Sequence, residues 1–419
     1  MSATPAPWSA AAPQLMRSTL PQRWSVQFST AAGAILAVDI ATCEVTIDLG
    51  WSPYAQATLT GPVPQDQATL DALDPRRLVK VVISAGYVLP GGVEDVHPLA
   101  VLFVRNRDVD RPSNTLTLQA QGPEWLYDPW VPHRSSELVP VTPQGETGYN
   151  TRWAANDAVL TTLRLMTGKA SDAPPSAIPP GGFDYDNAPT VTGWGYDGPW
   201  ARQSGARDIP PVIGPTDLVP ARGQSAMDFL RDIADRINAW MYCDELGVWR
   251  LVYPPGFNAQ SAVQLDVGAA GIVLESTTSM SRDEWANDVL VDWIWTTTDS
   301  TGQEIEHRIR GEAWIVTGPY ARDVARRTTH YELRETAVAQ TAATDTARRI
   351  LQRCAPLGRT IVLTAVAAYW LRPYDTVTVK LPTGPQERHQ VQQVSYQLDV
   401  GTMRVSTRQP IDATTITGG

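Results

Sequence analysis

The sequence predicts a mainly β (α+β) fold with small helices. Two observations carry this. Apolar and polar residues alternate with period two through many short runs, and turn-forming Gly, Pro and Asn separate those runs. Helical periodicity is confined to a few segments. The chain has 419 residues, of which 43% are hydrophobic and 19% charged. That is an ordinary globular balance, with enough apolar surface for about three domains.

Residues 1–19 form an N-terminal extension rich in Ala, Pro and Ser. It has no basic start and no apolar segment, so a signal peptide is not expected. Nor does any apolar run reach bilayer length. Residues 20–130 read as a first β domain. Trp24–Phe28 and Cys43–Leu49 alternate, and Leu78–Ser84, Ala100–Arg105 and Thr115–Gln119 follow. Turns fall at Pro90-Gly91-Gly92 and Arg111-Pro112-Ser113-Asn114, a rhythm that fits a barrel or sandwich.

Residues 131–222 are a Pro/Gly-rich insertion with one short helix expected over Asn156–Met166. Residues 223–272 carry the clearest helix, Ser225 to Trp240. Ser225 and Asp228 have capping spacing, and Ala226, Phe229, Leu230, Ile233, Ala234, Ile237 and Trp240 share one face. A hairpin follows, with Met241–Cys243 and Val248–Tyr253 flanking Asp244-Glu245-Leu246-Gly247. In residues 273–409, Asn287–Trp293 alternates and a second helix spans Thr341 to Cys354. A meander closes the segment: Thr360–Ala367, Thr376–Leu381, His389–Leu398 and Thr402–Thr407. Residues 410–419 read as a C-terminal tail.

Few residues suggest chemistry. No phosphate-binding glycine loop or nucleophile elbow is present. The histidines His97, His133, His307, His330 and His389 are widely separated, without metal-ligand spacing. Cys43, Cys243 and Cys354 form no CxxC and read as small buried hydrophobes. The carboxylate pairs Asp184/Asp186, Asp283/Glu284 and Glu304/Glu306 lie in polar stretches and read as solvated surface, not as glycosidase acids. No catalytic, cofactor-binding or metal-binding residue is therefore assigned, and no cofactor is expected. Fifteen tryptophans fit packed interfaces better than sugar platforms. The net charge of −10 argues against clamping nucleic acid.

The second half resembles the hub proteins of phage tail tips, called minor tail proteins in actinobacterial phages. The likeness rests on Leu230-Arg231-Asp232-Ile233-Ala234-Asp235, the hairpin and the Pro254-Pro255 exit. It continues through Asn287, Val289 and Val291, the helix Ala343–Arg353, and the close Gly401-Thr402-Met403-Arg404-Val405-Ser406-Thr407-Arg408. In Leu371-Arg372-Pro373-Tyr374-Asp375, Tyr374 stands where the family usually has Gly. The resemblance covers residues 223–409 well and the first domain only by pattern.

The resemblance implies two tail-tube-like β-barrel domains, 20–130 and 273–409, with a helix–hairpin domain between them. It implies a non-enzymatic homotrimer at a virion tail tip, made in the host cytoplasm, with no stable membrane insertion. Its partners would be a distal tail or tube protein, a tape measure protein and tip or receptor-binding proteins, with DNA only in transit. A tube protein or the hub of a tail-derived secretion system is the near alternative. A carbohydrate-binding protein or glycoside hydrolase is the distant one.

Overall fold

The computed structural model describes residues 8, 21–128, 223–236, 240–247, 249–252, 262–267, 271–283, 285–298, 302–334, 340–381, 386–409 and 416–418. In the first segment, β1 (Gln22–Ser29), β2 (Ile35–Leu36), β3 (Thr42–Asp48) and β4 (Ala55–Pro62) precede helix α1 (Gln67–Ala72). Then come β5 (Lys80–Leu89), β6 (Val93–Asp110), β7 (Thr115–Gln121) and the one-turn helix α2 (Glu124–Tyr127). The alternation read in the sequence is real: Cys43, Val45 and Ile47 of β3 point into the core. β6 is longer than the Ala100–Arg105 run that alternation picks out. Register shifts opposite Ile83/Ser84 and at Val104/Asn106 interrupt its periodicity.

Helix α3 (Ala226–Arg236) begins where the capping pattern places it. The Asp228 N–H donates to Ser225 Oγ at 3.1 Å, and that hydroxyl donates to Asp228 Oδ2 at 2.8 Å. Ala226, Met227, Phe229, Leu230 and Ala234 are buried. The helix is shorter than expected. Trp240 is not helical but opens β8 (Trp240–Cys243), which pairs with β9 (Trp249–Val252). Its apolar side chain continues the helical period by coincidence, and strand pairing decides its state. Gly247 closes the hairpin turn at φ +83°, a conformation that favours glycine.

The remaining elements are β10 (Val263–Asp266), β11 (Val273–Met280), β12 (Asp288–Thr298), β13 (Glu304–Ile315) and β14 (Thr329–Arg334). After them come helix α4 (Gln340–Cys354), β15 (Arg359–Val366), β16 (Thr376–Lys380), β17 (Gln386–Gln397), β18 (Thr402–Arg408) and β19 (Ile416–Thr417). The expected helix Asn156–Met166 and the turn Pro382–Pro385 lie outside the described residues.

One thirteen-stranded sheet links both ends of the chain, in the order β11-β15-β18-β17-β3-β4-β7-β6-β5-β1-β2, with β16 on β17 and β10 on β16. β17 is the joint. Its residues Gln386–Gln390 pair with β16, and its residues Gln393–Gln397 pair with β3. A register shift against β18 between Val391 and Gln393 marks the changeover. One core therefore runs from Phe28, Val45 and Leu118 to Leu363, Val394 and Met403. Over the joint sit Tyr87, Tyr369, Trp370 and Tyr396, all buried. The Tyr87 hydroxyl donates to the Ala367 carbonyl, and that of Tyr396 to the Leu371 carbonyl at 2.6 Å. Trp8, the one described residue of the extension, packs edge-on against Tyr87, His97 and Trp370.

Residues 273–409 divide between two sheets. β12, β13, β14 and β19 make a separate four-stranded sheet in the order β14-β12-β13-β19. Helix α4 covers one face of it: Ala343, Ala347, Ile350, Leu351 and Cys354 meet Val289, Val291, Trp293, Ala313 and Ile315. Those helix residues are the stripe its sequence predicts. The C-terminal tail is in part structural, because β19 pairs with Trp314 and Ile315 of β13.

Candidate functional site

The residues weighed as chemical candidates stay apart. His97, His330 and His389 each meet an acid two residues away on the same strand: Asp95 (2.6 Å), Glu332 (3.0 Å) and Glu387 (3.0 Å). His307 meets Thr297 and stacks on Trp295. His133 and the pair Asp184/Asp186 lie outside the described residues. Asp283, Glu304 and Glu306 are exposed, and Glu284 lies outside the described residues. Cys43, Cys243 and Cys354 are buried and in no disulfide, as their sparse spacing suggested. Burial beside Asp399 and Glu44 pushes the Cys43 thiol up to about 12. Among the described residues no three His, Cys, Asp or Glu side chains gather as metal ligands.

What the fold does bring together is two polar constructions. The first is a joint between the segments. Glu124 on α2 is buried; it accepts the Cys243 N–H at 2.6 Å and the Ser52 hydroxyl at 2.7 Å. Burial raises its carboxyl despite those bonds. Arg231, from the stretch Leu230–Asp235, donates to Ser52 Oγ at 2.6 Å and Asp128 at 3.1 Å. One turn of the hairpin further on, the Glu245 carbonyl accepts the Val101 N–H at 2.7 Å, and its carboxylate pairs with Arg372. The hairpin is thus pinned to the first segment by its backbone and to the C-terminal segment by its charge. A buried ion pair of this kind fixes geometry more than it adds stability.

The second construction is the face of the four-stranded sheet turned away from α4. Asp292 is buried beneath Arg308 (2.8 Å) and Arg310 (2.6 Å), with the Tyr331 hydroxyl at 3.2 Å. The guanidinium groups hold its carboxyl well below the usual range, Arg310 contributing most. Asp288, four residues earlier on the same face, takes Arg327 at 2.9 Å, Thr329 at 2.9 Å and Arg322 at 3.3 Å. Arg322 also lies 4.2 Å from the centre of the Trp314 ring. Beside this network Tyr331 is 55% exposed and Leu333 53%. Fixed arginines next to exposed aromatic and aliphatic side chains are the composition of a protein-contact surface. The sequence showed the alternation of β12, but not that its two acids each gather two arginines from distant positions.

No family model matches the sequence, and no curated protein matches it. Solved structures do. A tail protein from Neisseria meningitidis MC58 superposes with a TM-score of 0.51 at 12% identity, over 92% of this chain and 96% of that one. The 43 kDa tail protein of prophage MuSo2 from Shewanella oneidensis gives a TM-score of 0.50 at 11% identity, over 93% and 99%. The expectation of an actinobacterial host gains no support from these sources. At this identity the likeness is one of fold, and it spans nearly the whole of each chain. The chain has the fold of phage tail proteins.

Proposed function

We propose that this chain is the structural hub of a phage tail tip: a homotrimer whose ring joins the tail tube to the tip and encloses the DNA channel. The observation that carries this reading is the end-to-end fold likeness to two phage tail proteins. On this reading the strands of 20–130 and 273–409 supply two barrel-like units per chain. Three chains then present six units and can meet a sixfold tube. Closed symmetry lets each copy bury the same two unlike surfaces.

The joint at Glu124, Glu245 and Arg372 suits such a part, because units that must hold a fixed angle need rigid contacts. The partners would be the tube or distal tail protein, the tape measure protein and tip proteins. An acidic chain, with 44 acidic and 34 basic residues, suits a bore through which DNA slides without sticking. Most of the 31 arginines would lie on outer faces and subunit contacts, and the sheet face that carries Arg308, Arg310, Arg322 and Arg327 would be one of these. Reconstruction of the tail tip by cryo-electron microscopy tests the reading through copy number. Three copies around the axis support it, and six point to a tube or distal tail protein instead.

A further inference from the structure

Arg408, which ends β18, carries its charge into the fold without a counter-charge. It is 7% exposed, and among the described residues no carboxylate pairs with it. Its Nε and Nη2 both donate to one neutral acceptor, Gln390 Oε1, at 3.3 and 3.2 Å. The Tyr374 ring centre lies 5.9 Å away, and this phenol favours the protonated form of Arg408 without bringing a charge at neutral pH. The other charge nearby is of the same sign: Arg353, on the last turn of α4, opposes the protonated form of Arg408. Burial opposes it further.

Strand register extends the picture. Thr376 stands opposite Gln390, and Gln390 opposite Arg408, so the three form one row on one face of β16, β17 and β18. Thr376 is 2% exposed, and its Oγ1 has no hydrogen-bond partner. Arg388, two residues before Gln390, shares that face and is exposed. Asp266 also shares it but stands opposite Lys380, roughly 13 Å along the strand from Thr376.

A buried unpaired cation is costly, and so is a buried hydroxyl without a partner. One small oxyanion would answer both, taking N–H bonds from the guanidinium and an O–H bond from the threonine. We infer that Arg408 and Thr376 form a site for a small tetrahedral oxyanion of the inorganic phosphate class, with Arg353 adding positive charge beside it. The site does not depend on the tail-tip reading.

The test is thermal unfolding of the full chain in phosphate against chloride of matched ionic strength, with acetate as a carboxylate control. The expected result is saturable stabilisation by phosphate. Its apparent affinity falls about tenfold or more in Thr376→Val, and the effect is lost in Arg408→Gln. Thr376→Val is nearly isosteric and keeps the test open should Arg408→Gln fail to fold. A parent that does not respond to phosphate beyond chloride overturns the inference. So does a phosphate response left unchanged by Thr376→Val, or stabilisation by acetate without stabilisation by phosphate.

Discussion

Asn287 and Thr328 are bonded in both directions. The Asn287 N–H donates to the Thr328 carbonyl at 3.1 Å, and the Thr328 N–H donates to Asn287 Oδ1 at 2.8 Å. The Asn287 side-chain amide also donates to the carbonyls of Tyr320 (3.2 Å) and Ala325 (2.9 Å). One fully buried side chain therefore holds the connection between β13 and β14 against the start of β12. Asp288 repeats the connection through Arg322 and Arg327. Asn287→Ala leaves three backbone groups without that partner, at about 1–3 kcal/mol for each that stays buried. The expected outcome is a loss of about 2–5 kcal/mol in urea unfolding, with new protease cleavage between 316 and 328. A variant as stable and as resistant as the parent would contradict this role.

Helix α3 supports the fold by packing. Phe229 and Leu230 are buried, so Phe229→Ala or Leu230→Ala should cost about 2–5 kcal/mol through lost burial and a cavity. Equal melting temperatures for variant and parent would refute it.

Gly401 turns the chain between β17 and β18 at φ +69°. Its carbonyl accepts Gln22 Nε2 at 2.9 Å, and a Cβ there would lie 2.5 Å from Gln22 Oε1. Gly401→Ala should destabilise by about 1–3 kcal/mol, from backbone strain and the displaced Gln22 contact. Chemical unfolding measures it, and a neutral or stabilising effect would count against the turn geometry.

Asp375 makes stability depend on pH. Its carboxylate accepts the Arg372 N–H at 2.8 Å, and burial pushes its pKa from 3.8 up to about 6. Arg372 opposes that rise, while Glu245 from the hairpin turn faces the group with the same sign of charge and adds to it. The folded chain then holds this proton more tightly than the unfolded chain does. Its contribution is complete below about pH 4 and is lost as pH rises through about 6. Asp375→Asn keeps an acceptor for Arg372 and should flatten stability between pH 4 and 7. Parallel profiles for variant and parent would reject the assignment.

Local pattern made much of this legible. The strands β3 and β12, the helix α4 and the cap at Ser225 follow from periodicity and capping chemistry. Period two, however, tells which face a residue occupies and not which strand it pairs with. The split of β17 between β16 and β3 was therefore invisible, as was the single sheet it creates. β11 carries no alternation in its sequence, because seven of its eight residues are exposed. Tyr374 stands where the resembled family usually has glycine, and it adopts φ +73°. The role of Asn287 appears only when a loop some forty residues later in the chain folds back onto it. The pairing of Glu245 with Arg372 crosses a wider gap: 127 positions separate the partners.

A cryo-electron microscopy map of the assembled tail tip counts the copies of this chain around the axis and shows what lines the bore. A trimeric hub gives three copies of this chain around the axis, with a bore lined by neutral or acidic side chains. Six copies, a single copy, or a bore dominated by arginine would contradict it.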